Sequence, residues 1–385
     1  MLNRARRACS AAAISLAVAF AVPTTASEPV RIGMITTLTG GGSHLGIDVR
    51  DGFVLALKQA GREDIELLIK DDGRKPDLTK QISDEMIQRN RVDIMTGIIF
   101  SNLALAVVPA AVRQGIFYLS PNAGPSQLAG PLCHENYFNV AWQNNDLHAA
   151  MGVHMNDEGL TKPFILAPNY PAGTDALTGF KSTFGSTVAG EIYTRLGQKD
   201  YAAEIAQIRA SDADSVFFFL PGGMGIAFMK QFAASGVDLP VFGPAFSFDE
   251  IILGAVGDAA IGVRNTSQWA YDLDITANVA FVGAFRETYG RTPTLYASQG
   301  YDTGRLVLSA LEVAHPKDAA AFRTALRKAS FESTRGKFQF NTNHHPIQDI
   351  YVREVVLGAD GKPTNRLVGT AIADRADDFA SLCKM

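Results

Sequence analysis

The 385-residue sequence predicts an α/β protein built from two doubly wound lobes with a cleft between them. Short apolar runs rich in Val, Ile and Phe alternate with longer amphipathic stretches, the pattern of parallel βαβ units. This alternation occurs in two successive series, and no Pro-rich or Ser-rich linker separates them. Two similar lobes without a flexible linker indicate a hinged pair.

The first series predicts one complete lobe. Its apolar runs predict strands near Val30–Ile35, Ile65–Lys70, Ile94–Ile99 and Phe117–Leu119. The amphipathic stretches between them predict helices near Gly46–Ala60, Pro76–Arg89 and Asn102–Arg113.

The second series follows Tyr137–Trp142 and predicts a lobe of the same class. It begins with a helix near Asp146–Glu158. Strands are expected near Phe164–Ala167, Val188–Thr194, Val216–Leu220 and Val241–Gly243. The helices expected between these strands lie near Thr174–Phe184, Tyr201–Ala210 and Gly225–Ser235.

After about residue 272 the pattern becomes mainly helical and then ends in short strands. Helices are expected near Ala277–Tyr289, Tyr296–Val313 and Ala319–Ala329. Short strands are expected around Phe338–Phe340, Ile350–Val356 and Arg366–Thr370. The turn residues from Ala359 to Pro363 predict that the last two strands form a hairpin.

The first 26 residues are expected to be a cleaved secretory signal peptide. Three arginines precede an uncharged apolar stretch from Ala11 to Val22, and small residues follow up to Ala26. The stretch is shorter than the ~20 residues that a membrane-spanning helix needs. Removal of the three arginines changes the formal net charge from −4 to −7, so an acidic mature protein is expected in the periplasm.

The charge balance argues against nucleic acid as a partner. Binding to a phosphate backbone requires clustered Lys and Arg on a basic surface. This sequence has a pI of about 6.0 and no basic run beyond its first residues.

Cysteine usage agrees with export. Cys9 leaves with the signal peptide, and the two remaining cysteines, Cys133 and Cys383, form an even pair in an oxidising compartment. We therefore expect one disulfide between them. The alternative is two separate buried thiols.

Familiar catalytic motifs are absent from the sequence: there is no H-E-x-x-H, C-x-x-C, G-x-S-x-G or P-loop. His134-Glu135 and His344-His345 lack partners at the spacing of a zinc site, so we interpret both pairs as surface or loop residues and expect no metal. The glycine-rich segment Gly40–Gly46 resembles a dinucleotide fingerprint, but Leu45 stands where the third glycine belongs. Such a turn also suits a carboxylate, and no cofactor is expected.

Short motifs follow the ends of the predicted strands. They are Arg31-Ile32-Gly33 with Thr39-Gly40, Asp71-Asp72 with Pro76, Gly97–Ser101, Leu119–Ala123, Asn169-Tyr170 with Gly173, Phe242-Gly243-Pro244 and Tyr301-Asp302. Their order and spacing resemble the leucine/isoleucine/valine-binding protein family of periplasmic substrate-binding proteins, which serve ABC importers. The resemblance covers nearly the whole mature chain.

This resemblance implies a type I periplasmic binding protein fold, in which two α/β lobes joined by three crossovers close on a ligand. With those crossovers, we expect the N-terminal lobe to comprise residues 27–142 plus 272–341 and the C-terminal lobe residues 143–271 plus 342–385. It also implies a small-molecule ligand, an ABC permease in the inner membrane as partner, and a monomer.

In the family, a serine after the third strand and a short segment after the fourth usually hold the ligand's carboxylate. The matching residues are Ser101 and the segment Asn122, Ala123 and Gly124. Ser101 is also expected to cap a helix beginning at Asn102. Because the family often has a hydroxyl-bearing residue where Gly124 stands, we expect room for a wider ligand.

On the second lobe, Tyr170 matches the family's aromatic lid and is expected in an exposed turn. A further lid position falls near Pro221-Gly222, where little side-chain chemistry is available. Amino-acid binders usually have an acidic residue where Ala245 stands, and it pairs with the ligand's ammonium. A buried ammonium without such a partner costs several kcal/mol, which disfavours an α-amino acid unless Asp249 or Asp302 reaches the cleft.

The remaining side chains expected around the cleft are Phe100, Trp142, Phe246 and Phe248, with His44 as a polar group. Ordinary core packing is the alternative for these rings. Donors for a carboxylate within apolar walls suit an aromatic acid of the benzoate or phenylpropenoid type.

We therefore expect a non-enzymatic solute-binding protein that captures such an acid between closing lobes and delivers it to a permease. The alternatives are an amino acid or amide binder of the same family and a ligand-sensing subunit of an extracytoplasmic receptor.

Overall fold

A computed structural model describes residues 28–62 and 64–385 and has two sheets flanked by helices. The expected signal peptide and its cleavage after Ala26 lie outside the described residues.

The first sheet is parallel throughout and has the order β2-β1-β3-β4-β5. Its central strands are apolar, because helices cover both faces of the sheet. The strands are β1 (Val30–Thr36), β2 (Ile65–Asp71), β3 (Ile94–Thr96), β4 (Phe117–Ser120) and β5 (Tyr137–Asn139).

The second sheet continues the chain in the order β11-β12-β10-β9-β8-β6-β7, and β13 pairs with β12. Strands β6 to β10 run parallel, whereas β12 is antiparallel to β10 and to β13. The strands are β6 (Pro163–Pro168), β7 (Gly190–Thr194), β8 (Ser215–Phe218), β9 (Val241–Pro244), β10 (Arg264–Ser267), β11 (Gln339–Phe340), β12 (Pro346–Leu357) and β13 (Pro363–Arg375).

Twelve α-helices connect these strands in the described part of the chain. They are α1 (Ser43–Ala60), α2 (Pro76–Gln88), α3 (Ser101–Arg113), α4 (Ser126–Ala129), α5 (Asp146–Asp157), α6 (Pro171–Thr183), α7 (Ala202–Ala210), α8 (Gly223–Ser235), α9 (Glu250–Val256), α10 (Thr276–Tyr289), α11 (Leu295–Leu311) and α12 (Ala319–Lys328).

The chain passes between the two lobes three times. It crosses after β5, it returns after β10, since α11 packs on α1 beside the first sheet, and it crosses again at β11 and β12. There Phe340 of β11 lies 5.3 Å from Phe138 of β5, while β12 pairs with β10 of the second sheet. This confirms the two doubly wound lobes and the three crossovers. Because parallel strands end at the same edge of a sheet, the loops after the strands of both lobes face a common cleft. The exact lobe boundaries stay a prediction.

Strand β10 and helix α9 were not expected from the sequence. Strand β10 has no apolar alternation because its side chains are polar and buried. Asn265 accepts hydrogen bonds from Arg353, at 2.9 and 2.7 Å, and Thr266 donates to the carbonyl of Leu147 at 2.7 Å. The predicted hairpin is confirmed, although both of its strands are longer than expected.

Cys133 and Cys383 are joined by a disulfide, with their Cα atoms 5.6 Å apart. The bond links the loop before β5 of the first sheet to the tail that follows β13 of the second sheet. It therefore adds a covalent connection between the lobes, beside the three crossovers. No helix within residues 28–62 and 64–385 is long and apolar enough to cross a membrane.

Candidate ligand-binding site

A cavity lies in the cleft between the carboxyl ends of the strands of both sheets. Its mixed polar and aromatic lining suits a small molecule. The lining residues are Leu45, Ile99, Phe100, Ser101, Asn122, Ala123, Trp142, Asn144, His148, Tyr170, Ala172, Phe219, Pro221, Phe246 and Tyr296. We call this cavity the pocket.

Ser101 lies on the first-lobe wall, at the first residue of α3. Its Oγ accepts a hydrogen bond from Asn144 Nδ2 at 3.1 Å. Among the described residues its hydroxyl proton has no acceptor, so it can be donated to a ligand. The expectation that Ser101 caps a helix beginning at Asn102 was wrong, because α3 begins at Ser101 itself after Phe100, and no side chain caps it.

The segment after β4 approaches the pocket with its first two residues. Asn122 Nδ2 donates to the carbonyl of Ile99 at 2.7 Å, while its Oδ1 has no partner in the described chain. Gly124 lies behind the pocket lining, where its N–H donates to Asn144 Oδ1 at 3.2 Å.

Packing explains the glycine at position 124 better than ligand width does. A Cβ added there would lie 2.1 Å from the carbonyl oxygen of Trp142. The backbone of this loop therefore leaves no space for any other side chain.

Aromatic rings form the second-lobe wall. Phe219 stacks on Tyr170 with ring centroids 6.3 Å apart, and Phe246 lies 5.5 Å from Phe219 and 4.4 Å from Trp142. Tyr170 is half-buried rather than exposed as expected, because its ring turns into the pocket beside Phe219.

Four of the residues proposed from the sequence surround the pocket without lining it: Gly124, His44, Gly222 and Ala245. The N–H of Gly223, next to Gly222, donates to the carbonyl of Gly41 at 3.3 Å, which joins the two lobes beside the pocket. Ala245 is fully buried in a short 3₁₀ turn, and the neighbouring Phe246 provides the wall.

Two residues near Ala245 are not among those that line the pocket. Phe248 packs in the core against Phe218, with ring centroids 5.3 Å apart. Asp249 caps α9, because its Oδ1 accepts from the N–H groups of Ile251 and Ile252 at 2.9 Å. Its Oδ2 lies 3.8 Å from His44 Nε2, and burial raises the pKa of Asp249 to about 6.

Asp302 does not reach the cleft either. Its carboxylate accepts from Arg335 Nε at 3.0 Å and from Ser333 Oγ at 2.6 Å in the core. The residues that line the pocket therefore include no carboxylate and no Lys or Arg.

Among the lining residues that the sequence reasoning missed are Asn144, His148, Phe219 and Tyr296. His148 follows the first crossover, lies 5.0 Å from the Phe219 ring, and is 1% exposed. Burial lowers the pKa of His148 to about 3, so the imidazole is neutral. Its Nδ1 has no hydrogen-bond partner among the described residues.

His344 and His345 lie in the loop between β11 and β12, as one of the two interpretations predicted, but they are buried there and not at the surface. His344 stacks on Phe138, with ring centroids 4.1 Å apart, so it serves packing. In the described part of the chain, no group of three His, Cys, Asp or Glu residues could hold a metal ion.

Comparisons with known proteins agree with this architecture. Residues 29–362 match the family model described as periplasmic binding protein. The Leu/Ile/Val-binding protein homolog 6 of Brucella melitensis is 27% identical over 362 residues, which cover 89% of this chain and 92% of that protein.

Two solved structures are similar over nearly their whole length. An ABC transporter solute-binding protein of R. palustris in complex with benzoate has a TM-score of 0.86 and 29% identity, covering 93% of this chain and 100% of that chain. A solute-binding protein of an ABC transporter from Rhodopseudomonas palustris BisB5, in complex with 3,4-dihydroxybenzoic acid, has a TM-score of 0.82 and 28% identity, covering 91% and 99%. The chain therefore belongs to the periplasmic binding protein family, whose members in ABC transporters bind solutes and are not enzymes.

Proposed function

We propose that this protein captures an aromatic carboxylic acid of the benzoate or phenylpropenoid type and delivers it to an ABC permease. The observation that carries the proposal is the absence of a carboxylate among the residues lining the pocket. An α-amino acid would bury its ammonium there without an ionic partner, at a cost of several kcal/mol.

The two walls suit the two ends of such a ligand. Ser101 has a hydroxyl proton to donate, and a hydrogen bond to a charged group contributes about 1.5–3 kcal/mol. The rings of Trp142, Tyr170 and Phe246 provide an apolar surface for an aromatic ring. The similar proteins solved with benzoate and 3,4-dihydroxybenzoic acid support this ligand class.

Capture is coupled to lobe closure in this proposal. Asp175, on α6 of the second lobe, accepts from the Ser126 N–H at 3.0 Å, from Ser126 Oγ at 2.7 Å, and from Asn144 Nδ2 at 3.0 Å. Asn144 also donates to Ser101. A ligand held by Ser101 thus acts on a network that joins the lobes, and it favours the closed form by binding that form better.

A thermal-shift screen of the mature protein tests the ligand class, because specific binding raises the melting temperature. One panel contains benzoates and phenylpropenoid acids, and the other contains aliphatic amino acids. We expect stabilisation by aromatic acids alone. Stabilisation by leucine or valine alone would contradict the proposal.

A branched-chain amino acid is the second candidate ligand. The unpartnered Asn122 Oδ1 is an acceptor that a ligand N–H could use, and the curated relative from Brucella carries a Leu/Ile/Val-binding name. The amino-acid panel of the same screen tests this candidate.

We further propose that residues 1–26 direct export to the periplasm and that the mature protein acts as a monomer. N-terminal sequencing of the protein from a periplasmic fraction should begin at Ser27. Sedimentation of that protein should give the mass of one chain, whereas an uncleaved N-terminus would contradict the export proposal.

A further inference from the structure

A second cavity adjoins the pocket in the cleft. Phe100 and Pro221 line both cavities, so they form the partition between them. We call the second cavity the vestibule. Residues of both lobes line it, among them Gly41 and Arg74 of the first and Lys199 and Met224 of the second.

The vestibule differs from the pocket in charge. Its lining includes two cations, Arg74 and Lys199, and no Asp or Glu. A cleft lined by one sign of charge concentrates field lines and raises the local concentration of ligands of the opposite sign. A local cluster of positive charge matters here because the chain as a whole is negatively charged and would repel an anionic ligand.

Arg74 is held at the partition by its own loop. Its backbone has a φ of 59°, a left-handed conformation that is uncommon outside glycine. Asp72 stabilises this turn, because its Oδ1 accepts from the Arg74 N–H at 2.8 Å. Asp71 fixes the same loop by accepting from the Leu38 N–H at 2.8 Å and from the Gly73 N–H at 3.0 Å.

The Arg74 guanidinium makes no ion pair with the described residues, and it lies 4.5 Å from the centre of the Phe100 ring. The Asp72 carboxylate is near enough for the Arg74 charge to oppose the rise of its pKa on burial, but it accepts its hydrogen bonds from Thr37 Oγ1 and the Arg74 N–H. Burial raises the pKa of Tyr170, and the nearby Arg74 charge opposes that rise, so the guanidinium is close to the second-lobe wall as well.

We propose that the vestibule is an anion-capture site, in which the Arg74 guanidinium pairs with the ligand's carboxylate before the lobes close and so favours acids over neutral analogues. The inference rests on the proposed function, because it assumes an acidic ligand. After closure the guanidinium stacks on Phe100, and the carboxylate has passed to the uncharged donors of the pocket.

Stopped-flow association of benzoate, followed through the fluorescence of Trp142 in the pocket wall, tests the proposal. Arg74→Gln should lower the association rate constant about fivefold at low ionic strength and change the dissociation rate constant less than about twofold. Arg74→Lys, which keeps the charge, should restore most of the association rate. The effect of Arg74→Gln should disappear in about 0.5 M salt.

Arg91→Gln is the matched control. Arg91 also has a positive φ, of 53°, and lies exposed on the first lobe, but it lines neither cavity. Arg91→Gln removes one positive charge, as Arg74→Gln does, but it removes it outside the vestibule. The association rate constant of Arg91→Gln should therefore equal that of the wild type. If benzoate associates with Arg74→Gln and Arg91→Gln at equal rates, the vestibule inference alone is overturned. If the wild-type protein binds no aromatic acid, this inference and the proposed function are overturned together.

Discussion

The two walls of the pocket differ in chemistry. The first-lobe wall presents the small polar groups of Ser101 and Asn122 after short parallel strands, beside the rings of Phe100 and Tyr296. The second-lobe wall presents the large rings of Tyr170, Phe219 and Phe246. Under the proposed function, this difference divides recognition between the lobes: the polar groups of the first lobe hold the carboxylate, and the second lobe closes over the ring of the ligand.

Ser101→Ala should have the largest effect on affinity. Loss of a donor to a carboxylate costs about 2 kcal/mol, or about thirtyfold in Kd for an aromatic acid. Isothermal titration calorimetry with benzoate measures this loss. The ligand-free protein should lose about 1 kcal/mol of stability or less, because Ser101 caps no helix and Asn144 Nδ2 keeps its hydrogen bond to Asp175 when its bond to Ser101 is lost.

Unchanged affinity in Ser101→Ala would remove this hydroxyl from the carboxylate site and break the comparison. Ser309→Ala is a suitable control, because Ser309 lies on α11 outside the pocket lining and its Oγ bonds the carbonyl of its own helix at 2.9 Å.

His148 adds a second test of the comparison between the two walls, because its imidazole is a titratable base that lies among the aromatic rings. Its pKa is lowered to about 3 by burial, so the folded protein must keep it neutral. A base with a lowered folded-state pKa stabilises the fold above its unfolded pKa of about 6.5, and this contribution is lost as pH falls. Between pH 7 and pH 5 the loss amounts to about 2 kcal/mol.

Urea unfolding of the wild type and of His148→Gln at both pH values measures this contribution. The stability of the variant should fall less between pH 7 and pH 5, by up to about 2 kcal/mol. Other buried histidines titrate in both proteins, so the difference reports His148. Parallel pH profiles would show that His148 is not the buried neutral base described here.

Phe246→Leu should have the smallest effect, about 1 kcal/mol or fivefold in Kd, because it removes ring contact but keeps apolar volume. Phe248→Leu is its matched control two residues away, since Phe248 packs against Phe218 and not on the pocket. It should lower the unfolding free energy without changing benzoate affinity. Equal losses of affinity in the two variants would contradict the assignment of the wall to Phe246.

Sequence reasoning predicted most of the fold, because strands buried on both faces produce apolar runs that helices interrupt at regular spacing. It did not find β10, whose buried Asn265 and Thr266 are satisfied by distant partners. It placed Ser101 and Tyr170 at the cleft, and both line the pocket, while their roles in binding stay a prediction. It could not distinguish Phe246 from Phe248, because a 3₁₀ turn at Ala245–Ser247 follows neither helical nor strand periodicity.

The remaining lining residues depend on tertiary structure. His148 reaches the pocket through the first crossover, and Tyr296 comes from α11, more than a hundred residues after the rest of the first-lobe wall. No local pattern indicates that such segments meet. Whether Asp249 reaches the cleft could not be predicted from the sequence either, because its position depends on tertiary structure. In the structure its carboxylate accepts hydrogen bonds from the first turn of α9.

The central claim is that the pocket accepts an aromatic carboxylate and has no partner for an ammonium. Calorimetric titration with 3-phenylpropanoate and with L-phenylalanine tests it most directly, because the two ligands differ by the α-ammonium group alone. We expect binding of 3-phenylpropanoate and affinity for L-phenylalanine at least about a hundredfold weaker, since burying the unpaired ammonium costs several kcal/mol. Tighter binding of L-phenylalanine would contradict the account.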